Sequence, residues 1–213
     1  MVLVLLFSSK ITYATHALGA DIVAKCVGPN QYEITLTMYR DCNGVNLAAS
    51  QTVNWTGLCG NGAQQANRIS ITDITSTCAS QTSSCGGGAG YFGVEKHIYQ
   101  TTITLPPGCT DVVFSRRLCC RNLAITTLTN PNGERLYVET AVDNSLAPCN
   151  NTPEFILDPV LYFPIGQPVS LNNFGYDVDG DSLHYSLVDA LDNGGVAVNY
   201  TGGFSGLQPL GAD

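Results

Sequence analysis

Asp177-Val178-Asp179-Gly180-Asp181 sets three carboxylates at alternate positions. Carboxylates this close repel one another unless a cation neutralises them. Oxygen ligands in this density suit calcium, a hard ion that takes about six to eight oxygens. A helix-loop-helix calcium loop would need glycine and glutamate where Ser182 and Val188 stand, so the motif is of another kind. It leads directly into an apolar alternation, as an inter-strand loop would. The competing reading is a solvated acidic turn whose Asp and Gly serve the backbone.

Sulfur is the second resource. The chain has nine cysteines, at Cys26, Cys42, Cys59, Cys78, Cys85, Cys109, Cys119, Cys120 and Cys149. Their spacing fits no zinc template. Disulfides in an oxidising compartment are the expectation, with pairings that spacing leaves open. The odd total leaves one thiol free or paired across chains. Adjacent Cys119 and Cys120 would point to opposite faces of a strand, which predicts different partners for them. A cysteine nucleophile served by His97 with Asp111 or Asp143 ranks last, because no elbow, triad or signature accompanies it.

Four further groups could carry a function. Arg116, Arg117 and Arg121 surround Cys119 and Cys120 and could meet a carboxylate or sulfated glycan, or simply be ion-paired strand residues. Trp55, Tyr91, Phe92 and Tyr99 could stack on a sugar, although core packing accounts for each. The run Cys85-Gly86-Gly87-Gly88-Ala89-Gly90 lacks the ending of a phosphate loop and reads as a tight turn. Asn54, Asn150 and Asn199 begin N-glycosylation patterns.

These residues sit in a chain of 213 residues with a charged fraction of 12% and a net charge of −8. An acidic chain repels phosphate backbones, which argues against nucleic acid as a partner. Residues 1–14 form an apolar leader with small residues near a cleavage point after Ala14, so the mature chain should be secreted or lie on the cell surface. No other segment is long and apolar enough to span a bilayer.

The elements that must hold these groups are strands. Ala20–Cys26 and Gln31–Tyr39, separated by Gly28-Pro29-Asn30, predict a hairpin. In the second run Tyr32, Ile34, Leu36 and Met38 share one face. Residues 40–93 read as long polar loops with short strands near Gln51–Thr56 and Arg68–Thr72. Further strands are expected at Val94–Leu105, Val112–Cys120, Leu123–Leu128 and Arg135–Val142. This is the content of a disulfide-stapled β-sandwich over residues 15–149. Asn144–Pro153 reads as a linker. Residues 150–213 then carry strand patterns at Glu154–Leu157, Pro168–Leu171 and Leu183–Val188, a partial second sandwich. The fold class is therefore all-β.

Asn150-Asn151-Thr152-Pro153-Glu154-Phe155 followed by Asp177 to Leu187 resembles a cadherin-like or bacterial Ig-like repeat. The resemblance implies that Asp177 and Asp179 form the calcium-binding DxD pair, with Asn150 and Asn151 as linker ligands and Asp181 adjacent. The linker has no aspartate among its asparagines, and no DRE-type motif is evident. Gly19-Ala20-Asp21-Ile22, Gln31 to Cys42 and Cys119-Cys120-Arg121-Asn122 resemble the N-terminal region of very large secreted or surface proteins of Bacteroidetes, of the gliding-motility and type IX secretion cargo kind. That likeness implies tandem Ig-like modules.

The expected function is an extracellular structural or adhesion module with a calcium-stiffened joint. Its partners would be other surface proteins, glycans or copies of itself. The alternatives are a filament subunit assembling by strand addition and a carbohydrate-binding module of a secreted glycanase.

Overall fold

The computed structural model describes residues 17–75, 81–87, 90–144, 149–159, 162–163, 166–168, 170–172 and 174–210. The leader at 1–14 and Cys78 lie outside the described residues. The fold is all-β. β1 (Ala17–Gly28), β2 (Gln31–Asp41), β3 (Ser50–Gly57), β4 (Gly60–Asp73), β5 (Val94–Thr104), β6 (Val112–Cys119) and β7 (Arg135–Val142) form one antiparallel seven-stranded sheet in the order β1-β2-β5-β4-β3-β6-β7. The sheet curls until β7 returns to β1, so it is nearly a barrel with the core inside.

The β1–β2 hairpin forms as the alternation predicts. Its turn passes through Asn30 at a φ of 56°, a left-handed conformation that asparagine tolerates. Tyr32, Ile34, Leu36 and Met38 are all fully buried, and Tyr99, Val53, Val112 and Phe114 pack against them from the other strands. Tyr32 meets Phe114 across the interior with ring centroids 5.7 Å apart.

Residues 40–93 hold more strand than their composition implies. β4 has 14 residues, most of them exposed and polar. Only its end, around Ile69 and Ile71, shows the alternation that predicted a strand at Arg68–Thr72; the rest has no apolar face to read. Pairing on both flanks, with β3 and β5, holds it instead. Gly62 in β4 is required by its neighbour: a Cβ there would lie 2.5 Å from the indole Nε1 of Trp55.

Three expected strands are absent among the described residues, the one at Pro168–Leu171 because residues 168, 170 and 171 run without strand pairing. Residues Leu123–Leu128 form turns and bends, and Leu183–Val188 runs without a ladder although its side chains alternate. Tyr185, Leu187 and Val188 are exposed, so no sheet face draws that alternation into register. Among its described residues the second half contributes β8 (Glu154–Phe155) and β9 (Gly175–Tyr176), an antiparallel pair. The chain after β9 instead lies along the loops of the barrel. Leu128 bridges Tyr200, the guanidinium of Arg121 donates to the Leu191 carbonyl at 2.9 Å, and the amide of Asn199 donates to Glu134 at 3.0 Å.

Four disulfides brace the sheet: Cys26–Cys149, Cys42–Cys85, Cys59–Cys109 and Cys119–Cys120. The expectation that Cys119 and Cys120 take different partners is overturned. β6 ends at Cys119, so strand alternation no longer separates the two side chains; the peptide joining them is cis and their Cα atoms lie 3.1 Å apart. The eight described cysteines thus pair among themselves, and Cys78 is the ninth.

Candidate functional site at the strap over β1

An outer strand of an open sheet presents unpaired amides and carbonyls. On β1 a strap formed by Cys149 to Thr152 covers part of that row. The backbone amide of Thr152 donates to the Ala24 carbonyl at 3.0 Å, and its hydroxyl accepts from the Ala24 amide at 2.8 Å. The side-chain carbonyl of Asn151 accepts from the Cys26 amide at 2.8 Å. Cys149 is bonded to Cys26 itself. One threonine and one asparagine therefore imitate a strand partner, and the disulfide pins them in register. Below them, at the start of β1, Ala17 forms a parallel bridge with Arg121.

The acidic loop meets this strap. Asp179 accepts from the backbone amide of Asn151 at 2.8 Å, and both its oxygens lie 3.0 Å from the side-chain amide of Asn151. Asp177 is buried, and its Oδ1 accepts from the amides of Asp179 at 2.8 Å and Asp181 at 3.3 Å. Gly180 completes the turn at a φ of 83°, and its amide donates to the Asp177 carbonyl at 3.3 Å. Asp181 is exposed and Asn150 half-buried. Asp177 thus acts as an internal acceptor that shapes the loop, and Asp179 as the contact between loop and strap. Among the described residues no group of three or more His, Cys, Asp or Glu side chains is arranged to hold a metal ion.

The structure therefore joins two of the predicted site residues, Asn151 and Asp179. It adds Thr152, to which the sequence assigns no site role although it lies in the Asn-rich segment and a glycosylation pattern. Its role depends on a partner at Ala24, 128 residues away, a separation that no local spacing can announce.

The other candidate groups are dispersed. Tyr99 is fully buried and Trp55 packs against the core, while Tyr91 and Phe92 are exposed, so the four aromatics form no common platform. Arg116 donates to the Thr52 carbonyl and to Gln51, whereas Arg121 donates to the carbonyls of Arg135 and Leu191. Burial pulls the pKa of both guanidinium groups down. Every described cysteine is in a disulfide, so none of them offers a thiolate. His97 is buried in β5, with Nε2 at 3.0 Å from Glu95, which also pairs with Arg40 at 3.0 Å. Burial lowers the pKa of His97, against the opposing pull of Glu95.

The chain matches no protein-family model, no curated protein and no solved structure. Among the described residues no helix is long and apolar enough to cross a membrane, a test that does not bear on spans made of strands.

Proposed function

We propose that the protein is an extracellular structural or adhesion module of a secreted or surface protein, in which the β1 strap fixes the chain that follows it against the barrel. The observation that carries this reading is the Cys26–Cys149 disulfide together with the paired backbone of Ala24 and Thr152. Such a connection passes load from the C-terminal segment into the middle of a strand rather than into a free linker. Four disulfides fit an oxidising compartment, and the likeness to large surface proteins supports the same placement. Calcium binding at the acidic loop, with Asn150 and Asn151 contributing, belongs to this proposal as a further stiffening element. Fractionation of the native producer followed by non-reducing mass spectrometry tests the proposal. The protein should occur in the surface or secreted fraction with Cys26 linked to Cys149, and recovery of reduced protein from the cytosol would overturn it.

A filament subunit is the second reading, favoured by one observation. β8 and β9 form an isolated two-stranded sheet whose Phe155 and Tyr176 are exposed. Two strands alone are marginal in water, and a strand from a second copy would extend them. Size-exclusion chromatography with light scattering separates the readings: a monomer at all concentrations removes the filament.

A further inference from the structure

The start of β1, the end of β2 and the start of β5 meet the chain after β8 around a cavity of about 910 Å³. Its walls include four phenylalanines, Phe92, Phe155, Phe163 and Phe174. Its polar groups include Asp21, Tyr39 and Asp158. The volume falls in the range of small-molecule sites, about 300–1,000 Å³, and an apolar lining with few polar groups is their usual composition.

The charges divide unequally. Asp158 accepts from the ammonium group of Lys96 at 2.6 Å, so these two offset each other. Among the described residues the hydroxyls of Thr37 and Tyr39 hydrogen-bond to Asp21, while Lys96 and Asp158 act on it by charge. An ionised Asp21 is therefore a desolvated negative charge beside aromatic faces, which themselves attract cations.

We propose that this cavity binds a small organic monocation with an apolar body, its ammonium group against Asp21 and its body among the phenylalanines. An anion would meet the Asp21 carboxylate, and a neutral ligand would leave that charge without a counter-ion. Burial raises the Asp21 pKa to about 6, helped by Asp158 and opposed by Thr37, Lys96 and Tyr39. The bound cation favours the ionised carboxylate, so affinity should rise with pH through that value. This inference is independent of the adhesion reading.

Isothermal titration with 2-phenylethylamine, 2-phenylethanol and phenylacetate tests it on the full chain. At a pH of about 7.5 the amine should bind saturably and about tenfold or more tightly than the alcohol, and phenylacetate more weakly than either. Amine affinity should fall about tenfold by a pH of about 5, as Asp21 takes up its proton. Asp21→Asn should remove the preference for amine over alcohol, and Phe92→Ala should weaken both. Circular dichroism checks that each variant is folded, and the wild-type pH series needs no variant. Absence of saturable amine binding, equal affinity for amine and alcohol, or a pH-independent amine affinity would each overturn the proposal.

Discussion

The main-chain amide of Asn151 donates to the Asp179 carboxylate at 2.8 Å and its side-chain amide donates at 3.0 Å, while the side-chain carbonyl of the same Asn151 accepts from Cys26 at 2.8 Å. One asparagine thus connects the acidic loop to the outer edge of the sheet. Both contacts to Asp179 are charge-assisted but lie at the surface, where water competes. Asp179→Ala should lower stability by about 1 kcal/mol. If calcium binds at the loop as proposed, the wild type should melt higher with calcium than with chelator, and Asp179→Ala should remove that difference. Melting curves in both buffers check this, and wild-type curves that coincide would count against ion binding at the loop.

The disulfides should differ widely in worth. Cys26–Cys149 closes 123 residues and Cys59–Cys109 closes 50, whereas Cys119–Cys120 closes a separation of 1. If stabilisation comes mainly from restricting the unfolded chain, each long loop is worth about 4–5 kcal/mol at most. The double variant Cys26→Ser/Cys149→Ser should therefore lose several kcal/mol in denaturant unfolding. Cys119→Ser/Cys120→Ser should lose far less.

Asp21 and His97 should bend the pH profile in opposite senses. Burial raises Asp21 from 3.8 to about 6, so the folded state holds a proton there that the unfolded state has already released. That contribution is complete below 3.8 and is lost as pH rises through about 6. Asp21→Asn should thus be more stable than wild type near neutral pH, by on the order of 2 kcal/mol. The gain should disappear near pH 4, which chemical denaturation at a series of pH values would resolve.

For His97 the folded pKa lies below its ordinary 6.5, chiefly through burial. The unfolded chain takes up a proton first, so stability is full above 6.5 and declines as pH falls beneath it. His97→Gln, which can still donate to Glu95, should remove that decline. The same denaturation series reads it out.

Gly62→Ala should cost about 1–3 kcal/mol, because the new Cβ would fall 2.5 Å from the Trp55 ring nitrogen. Displacement of that ring should shift the emission of the chain's one tryptophan. An unshifted spectrum with wild-type stability would contradict the packing described for this pair.

The hairpin of β1 and β2 was legible because Tyr32, Ile34, Leu36 and Met38 face a core that the alternation itself announces. β4 was only partly legible, since it is held by ladders on both sides and buries little of its own surface. Leu183–Val188 misled for the converse reason: its alternation is present, but no neighbouring strand uses it. At the site, the acidic loop and the Asn-rich segment stood out separately. Their meeting at Asn151 and Asp179, and the service of Thr152 to β1, depend on contacts across 28 and 128 residues that only the folded chain brings together.

The covering of β1 by Asn151 and Thr152 also sets a timetable. β1 emerges first among the strands of the sheet, and one side of it can pair with β2 almost at once. The residues that cover Ala24 and Cys26 on the other side arrive only after all seven strands have been delivered. During synthesis the newborn sheet therefore carries a sticky flank, and joining the Cys26 and Cys149 thiols in their disulfide, with an external oxidant taking up the two electrons, is the step that retires it. A chaperone or oxidase acting on this protein has its greatest influence in that interval.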